Sequence, residues 1–291
     1  MGEVYALITA FIWAFAVILI KKSGEKIPPF ALNFFRVGIA SFLFVVTFAV
    51  MREPILWRAP LGDYLILILS GAIAIVISDT LFHMCINTVG AGINALVDTL
   101  YSPSIIFFAY LFLGEKLNLW HFGGLALVIS GVFLTTRVDP PAGRSRKELL
   151  IGILWGVLAM LTLGLGIVIA KPVLERSPVM WATAVRQIGA FLVMIPVALV
   201  MPSRWKIFSV FKPEKHWKYM IPATVLGSYV ALIFWIAGMK YTQTGIAAIL
   251  NQTSSIHILI LASVFLKEPF SRNKLIAAVL ALSGIILVTL G

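Results

Sequence analysis

The chain has 291 residues, of which 60% are apolar and 12% are charged, and its mean hydropathy is +1.02. Soluble domains are about 45–50% apolar and about 25% charged, so this composition excludes a water-soluble enzyme and a disordered chain. The formal net charge of +11 predicts basic loops at a membrane surface rather than a nucleic-acid partner. The single cysteine, Cys85, excludes an intramolecular disulfide and a cysteine-rich metal site.

Ten apolar segments of about 20 residues predict ten transmembrane helices. The first segment is expected to be a retained helix and not a cleaved signal peptide, because its lysines follow the apolar stretch. The predicted fold is an all-α, multi-pass membrane protein in a lipid bilayer, expected in the plasma (inner) membrane. The segments cover residues 4–20, 30–51, 63–86, 92–113, 119–136, 149–170, 178–200, 217–238, 244–266 and 272–290.

An internal repeat divides the chain into two similar parts. Residues 92–136 align without a gap on residues 245–289, and 14 of the 45 positions are identical, including Glu115 and Glu268. The repeat unit holds five helices, and because five is odd the second copy enters the bilayer from the opposite side. We therefore predict two inverted repeats, residues 1–140 and 141–291, with a ligand site between them near the midplane. A duplicated scaffold that does not transport is the alternative.

Several local patterns resemble a known family. They are PPFALNFFRVGIA at 28–40, FLGE at 112–115, FLKE at 265–268, SGVFL at 130–134 and SGIIL at 283–287. Together they resemble the EamA-type members of the drug/metabolite transporter superfamily, and the resemblance covers nearly the whole chain. It implies a ten-helix transporter whose termini are cytoplasmic. It says little about the substrate, because members export amino acids, drugs and other metabolites.

The lysines and arginines outside the predicted helix cores divide unequally between the two faces. Fifteen lie in or beside the connections that follow the first, third, fifth, seventh and ninth helices, and six lie on the other face. The positive-inside rule predicts that the more basic face is cytoplasmic and that both termini are outside. The family resemblance implies the reverse orientation, so the two arguments conflict, and we give more weight to the charge count.

Ionisable side chains inside a bilayer are costly, so those in the predicted helices are candidates for a functional site. The third helix carries Asp79 and His83 four residues apart, which puts both on one stripe of the helix. A histidine beside a carboxylate can titrate near neutral pH, so this pair is a candidate for proton coupling. A structural ion pair is the alternative interpretation.

The fourth and ninth helices carry polar side chains at matching depths, because Asp98 aligns with Asn251 in the repeat. Each repeat would thus contribute one polar group near the midplane. Hydrogen bonding between helices, or simple packing of the aromatic residues, is the alternative. The predicted substrate-binding residues are Asn94, Asp98, Tyr101, Arg186, Tyr229, Trp235, Asn251 and Gln252.

Two arginines, Arg36 and Arg186, are 150 residues apart at matching places in the second and seventh helices. Arg36 is predicted to be a structural charge that Asp79 or Asp98 neutralises. Arg186 has no acidic residue within the apolar helices of its own repeat. It could be held by Thr183 and the amides of the ninth helix, it could snorkel to the interface, or it could bind a carboxylate of the substrate.

Three functions are consistent with these features. The first is an alternating-access exporter of a small metabolite, an amino acid or a related zwitterion, with a pocket lined by helices 3, 4, 8 and 9 and with helices 1, 2, 6 and 7 as moving gates. The second is an exporter of lipophilic cations or drugs, and the remote third is an intramembrane enzyme. The sequence contains no Gly-x-Ser-x-Gly elbow, phosphate-binding glycine loop or paired metal ligands. No cofactor or metal is expected, protons are the candidate coupling ion, and the protein is expected to be a monomer or a weak dimer.

Overall fold

In the computed structural model, all regular secondary structure of the described residues, 1–24, 27–56, 59–114, 118–242 and 244–290, is helical. A six-residue helix, Arg204–Ser209, lies in the connection between the seventh and eighth long helices. The long helices, numbered α1–α10 in chain order, are Gly2–Gly24, Pro29–Met51, Leu61–Val89, Ala91–Leu113, Leu119–Thr135, Arg146–Arg176, Val179–Val200, Trp217–Tyr241, Thr244–Leu266 and Arg272–Leu290.

Seven of these helices, namely α1, α2, α3, α4, α6, α7 and α8, are long and apolar enough to cross a membrane. Helix α5 and the segment Leu250–Leu266 of α9 are shorter apolar helices. The prediction of an all-α membrane protein is therefore confirmed, whereas the count of ten crossings stays a prediction.

The helix boundaries follow from the local sequence. Pro28 and Pro178 stand just before the first residues of α2 and α7, where a missing backbone N–H is harmless. Gly90, with φ of +87°, is the single residue between α3 and α4, a backbone conformation that glycine adopts easily. Ser145 caps α6 in a reciprocal pair of hydrogen bonds with Glu148.

Helices α3 and α8 each contain a π-helical stretch, Ala72–Ile77 and Thr224–Ala231. The repeat offset of 153 carries residues 72–77 onto 225–230, so the two stretches occupy matching places in the two repeats. Long π-helical segments are rare and often lie at functional sites. Neither stretch was predicted from the sequence.

The helices pack in two groups of four, and each group takes members from both repeats. One group contains α1, α2, α8 and α9, the other contains α3, α4, α6 and α7, and α5 pairs with α10. Within the second group, Ser70 and Ser78 of α3 donate hydrogen bonds of 2.7 Å to the carbonyl oxygens of Gly166 and Ala159 on α6. The two repeats are therefore interleaved and are not side-by-side bodies.

Helices α4 and α9 occupy the same place in the two repeats but run in opposite directions. The carboxylate of Glu268, just beyond the end of α9, accepts hydrogen bonds from the backbone N–H groups of Ala91 and Gly92 at the start of α4. Helices α1, α3, α5, α7 and α9 finish at this end of the molecule, and fifteen lysines and arginines lie in or beside the connections that follow them. We call it the basic end. The repeat counterpart of Glu268, Glu115, lies outside the described residues.

Candidate functional site

A cavity lies between the two groups of helices and encloses about 1060 Å³ of empty space, including the space at its opening. Among the described residues, eight helices contribute to its lining, all except α5 and α10. The prediction that α3, α4, α8 and α9 line the pocket is therefore incomplete, because α1, α2, α6 and α7 also contribute side chains. The interleaving of the repeats explains this difference.

Most of the predicted polar residues come together at this cavity. The predicted residues that line it are Arg36, Asp79, Asp98, Tyr101, Arg186, Trp235, Asn251 and Gln252. Three others do not line it, namely His83, Asn94 and Tyr229. Both π-helical stretches border the cavity, through Ala74 and Ile75 of α3 and through Gly227, Ser228 and Ala231 of α8.

Asp98 and Asn251, the matched pair of the repeat, both face the cavity. One carboxylate oxygen of Asp98 accepts a 2.9 Å hydrogen bond from the amide of Asn94, and the other oxygen is buried and has no partner in the described chain. Asn94 therefore supports Asp98 from behind instead of lining the cavity itself. Both polar atoms of the Asn251 amide are buried without a partner in the described residues.

No hydrogen bond joins the side chains of Asp79 and His83 in the described chain. The Nδ1 atom of His83 contacts the backbone carbonyl of Asp79, and its Nε2 atom lies 2.8 Å from an Nη1 donor of Arg36. A ring that donates to a carbonyl and accepts from an arginine is a neutral imidazole. The carboxylate of Asp79 faces the cavity and has no hydrogen-bond partner in the described chain.

Arg36 is tied to two neighbouring helices by its terminal nitrogens, whereas its buried Nε has no hydrogen-bond partner in the described chain. Besides His83, it donates a 2.8 Å hydrogen bond from Nη2 to the hydroxyl of Ser228 on α8. The predicted neutralising partners make no hydrogen bond to it within the described residues, although its charge interacts with that of Asp79. Arg36 therefore joins α2 to α3 and α8, in keeping with the predicted structural charge.

Arg186 is bound in a different way. Its Nε donates a 3.1 Å hydrogen bond to the hydroxyl of Ser70, and its charge interacts with Asp79 of the other repeat. The two terminal nitrogens line the cavity and have no hydrogen-bond partner in the described chain. The residue is 2% exposed, so the interpretation that it snorkels to the interface is wrong. Thr183 bonds to the carbonyl of Val179 in its own helix and does not hold the arginine.

Aromatic side chains form much of the remaining wall. Trp13 of α1 lies 5.8 Å from Phe82 between ring centroids, and Tyr101 of α4 lies 6.1 Å from Trp235 of α8. Tyr229 is outside the cavity, in contact with Phe44 and hydrogen-bonded to Thr47 on α2. The reason is its helix face, since the lining residues of α8 at 228, 231, 232 and 235 follow a stripe that excludes position 229.

Sequence reasoning missed six polar groups at the site. Ser70 and Ser228 hold the two arginines, and the other four line the cavity, namely Thr9, Ser78, Gln187 and Ser254. Gln187 follows Arg186 directly in an apolar segment, and this position was a signal that could have revealed it. The serines gave no such signal, because serine is common wherever membrane helices pack closely.

Buried charges that converge on a cavity inside apolar helices are typical of a carrier of polar solutes. The chain matches the EamA-like transporter family over residues 1–137 and again over residues 150–290. The chain belongs to this family. It is a membrane transporter of the EamA type, and the two matches correspond to two EamA repeats.

Individual relatives agree with this assignment. The chain is 23% identical over 287 residues to the "Uncharacterized transporter YetK" of Bacillus subtilis, covering 98% of this chain and 86% of the relative. It is 24% identical over 294 residues to an "Uncharacterized transporter" of Methanothermobacter thermautotrophicus, covering 96% of this chain and 84% of the relative. A solved crystal structure with 18% identity has a TM-score of 0.70 and covers 99% of this chain and 96% of its own, which supports the fold.

Proposed function

We propose that this EamA-family transporter is a secondary-active exporter of a small zwitterion, an amino acid or a closely related metabolite, and that it works by alternating access. One observation carries the proposal. The terminal nitrogens of Arg186 and the carboxylate of Asp79 face the same buried cavity, and neither group has a hydrogen-bond partner in the described chain.

Each charge favours one end of a zwitterion. A guanidinium binds a carboxylate through two parallel N–H···O bonds, and the Nη atoms of Arg186 are free to do so. Asp79 and the unpartnered oxygen of Asp98 are acceptors for an ammonium group. Because burying a single unpaired charge is costly, a ligand that brings both charges suits a lining with two arginines and two aspartates.

The apolar part of the wall favours an organic side chain on the ligand. Trp13, Phe82 and Trp235 contribute aromatic surface to the lining. Ligand pockets are typically mostly apolar with a few polar groups. The cavity has this composition, since aromatic side chains and a few charged and amide groups share its lining.

The membrane arrangement is part of the same proposal. We propose ten crossings in two inverted five-helix repeats, divided near residue 140, in the plasma membrane. The basic end would be cytoplasmic and both termini outside, as the positive-inside rule favours. Membrane-impermeant thiol labelling of Glu3→Cys, an exposed position next to the N-terminus, tests the orientation in intact cells, and labelling only after the cells are opened would reverse it.

Protons are the proposed coupling ion, with Asp79 as the carrier. Its carboxylate faces the cavity, whereas His83 is engaged by Arg36 and by a backbone carbonyl. Protonated His83 would have no acceptor nitrogen to offer Arg36. Amino-acid flux that drives alkalinisation or acidification inside proteoliposomes would support coupling, and its absence would leave facilitated diffusion.

Counterflow in proteoliposomes is the test of the substrate class. Purified protein should exchange labelled amino acid across the bilayer, and Asp98→Asn and Arg186→Gln should each reduce that exchange strongly. Asp63→Asn is the matched control, because Asp63 pairs with Arg176 away from the cavity. Unchanged flux in both cavity variants would disprove the zwitterion site.

A lipophilic-cation exporter is the second candidate. Asp79 and Asp98 could balance a cation, and the aromatic walls offer cation–π contacts. Uptake of tetraphenylphosphonium itself into proteoliposomes separates the two candidates, because a lipophilic-cation exporter predicts uptake that Arg186→Gln leaves intact and Asp98→Asn reduces. The family match favours transport over the intramembrane-enzyme alternative.

A further inference from the structure

The contact between α4 and α9 is tight at the basic end. Both carboxylate oxygens of Glu268 bind the start of α4, at 2.7 Å from the N–H of Ala91 and 2.9 Å from the N–H of Gly92. Lys274 lies 3.7 Å from the same carboxylate. A Cβ atom at Gly90 would stand 2.7 Å from a carboxylate oxygen of Glu268, so the missing side chain makes room for it.

Two further hydrogen bonds continue this contact toward the cavity. Ser255 of α9 donates a 3.0 Å hydrogen bond to the carbonyl of Ala95 on α4, and Gln252 donates one of 3.4 Å to the carbonyl of Asp98. Together with Glu268, these residues join α9 to the first two turns of α4. Because α4 and α9 belong to different four-helix groups, this row of contacts ties the two groups together.

The other half of α4 behaves differently. Beyond Asp98 the helix packs along α6, and it makes no more than marginal contact with α9 in the described residues. The repeat counterpart of Ser255 is Ser102, and its hydroxyl is buried, with the residue 2% exposed, and has no hydrogen-bond partner in the described chain. A buried hydroxyl without a partner is costly, which suggests that its partner is met in another conformation.

We propose that Ser255 and Ser102 are the two halves of a symmetric latch between α4 and α9, and that only one half is closed at a time. In this structure Ser255 and Glu268 close the basic end. In the opposite conformation the basic end separates, and Ser102 donates to the carbonyl of residue 248, which lies 153 positions after Ala95. The inference rests on the alternating-access proposal and adds the residues that hold its two states.

The physical basis is the exchange of equivalent bonds. Each state forms one interhelical serine–carbonyl hydrogen bond and leaves the other hydroxyl unpaired. The two states therefore differ little in the free energy that these hydrogen bonds contribute. Because the free-energy difference between the two conformations is small, binding of the substrate and the coupling ion can shift the equilibrium between them. Glu268 adds charge-assisted bonds at the basic end and so stabilises the conformation described here.

Spin-label distances in the full-length protein test the latch. Cys85→Ala removes the native thiol. Label pairs at Lys147→Cys with Phe265→Cys report the basic end, and Val4→Cys with Glu175→Cys report the opposite end, all at exposed positions. Each pair joins one helix of each group, so a change of state lengthens one distance and shortens the other.

The two serines must act with opposite signs. Ser255→Ala should raise the fraction of molecules open at the basic end about threefold. Ser102→Ala should lower that fraction about threefold. Both changes have the size expected for loss of one interhelical hydrogen bond in a membrane. Glu268→Ala should raise the fraction of molecules open at the basic end about tenfold, because a charge-assisted hydrogen bond is stronger than a serine–carbonyl bond. Repeating Ser102→Ala in a Glu268→Gln background keeps both states measurable.

Matched controls separate the latch from general packing. Ser104→Ala removes a buried hydroxyl of α4 that bonds to Leu100 of the same helix, and it should leave both distances unchanged. Asp63→Asn breaks an ion pair to Arg176, within one four-helix group, and should also leave them unchanged. General loosening would shift these controls as well.

Each possible result bears on the proposal. Opposite shifts for Ser102→Ala and Ser255→Ala support the latch. Shifts in the same direction, or none, with two distances still seen at each end, overturn the latch and leave alternating access standing. A single distance at each end in every variant, with and without amino acids, overturns alternating access and the latch together.

Discussion

Arg36 and Arg186 stand at matching places in the two repeats and line the same cavity, but their hydrogen bonds differ. The terminal nitrogens of Arg36 form hydrogen bonds with His83 and Ser228. Arg186 is steadied by one hydrogen bond to Ser70 and keeps its terminal nitrogens toward the cavity. The two arginines thus carry equal charges, but neighbouring residues engage the terminal nitrogens of Arg36 and leave those of Arg186 without a hydrogen bond in the described chain.

The same divergence separates Asp98 from Asn251. One repeat keeps a carboxylate, backed by Asn94, and the other has an uncharged amide at the matching position. With Arg186 on the second repeat, the acids are concentrated on the first repeat and the free guanidinium comes from the second. A ligand with separated charges would thus be oriented between the repeats, which a symmetric pair of sites could not achieve.

The largest effect is expected for Arg186→Gln. Loss of two charge-assisted hydrogen bonds, each worth about 1.5–3 kcal/mol, should weaken amino-acid affinity by about 100-fold or more. The melting temperature should change little, because Ser70 keeps its bond to the carbonyl of Gly166. Counterflow kinetics and thermal unfolding in detergent measure the two quantities. A large loss of stability with unchanged affinity would make Arg186 a structural residue.

Arg36→Gln should show the reverse pattern. His83 and Ser228 lose a charged donor in a buried place, so we expect unfolding to become easier by about 2–3 kcal/mol. The affinity for the substrate should fall less than in Arg186→Gln. The same two measurements apply, and Ser228→Ala, which removes one of the contacts, should give a smaller loss. Equal affinity losses in the two arginine variants would contradict the division of roles.

A smaller effect is expected for Asn94→Ala. This change leaves the Asp98 carboxylate without the 2.9 Å hydrogen bond that orients it. Affinity should fall by about tenfold, the equivalent of one lost bond to a charged group. Thr99→Ala is the control, since the Thr99 hydroxyl is buried in the same helix but bonds to the carbonyl of Leu96. Equal losses in both variants would show that helix packing, not carboxylate orientation, is responsible.

The sequence revealed the chemistry of the site better than its geometry. Arg186 and Asp98 stood out because charges are rare in apolar helices, and the repeat paired Arg36 with Arg186. The contact of His83 with Arg36 could not be predicted, because a spacing of four places two side chains on one stripe without saying which atoms meet. The interleaving of the repeats depends on contacts between distant segments, which hydrophobic patterns do not encode.

Tyr229 gives the smallest prediction and a test of the cavity boundary. Tyr229→Phe removes the hydroxyl that bonds to Thr47 but keeps the ring against Phe44, so stability should fall by about 1 kcal/mol or less. Substrate affinity should stay the same, because position 229 lies off the lining stripe of α8. Trp235→Ala, on that stripe, should weaken affinity several-fold. If Tyr229→Phe weakened affinity as much as Trp235→Ala, the substrate would occupy space between α2 and α8, and the cavity would extend beyond the boundary described here.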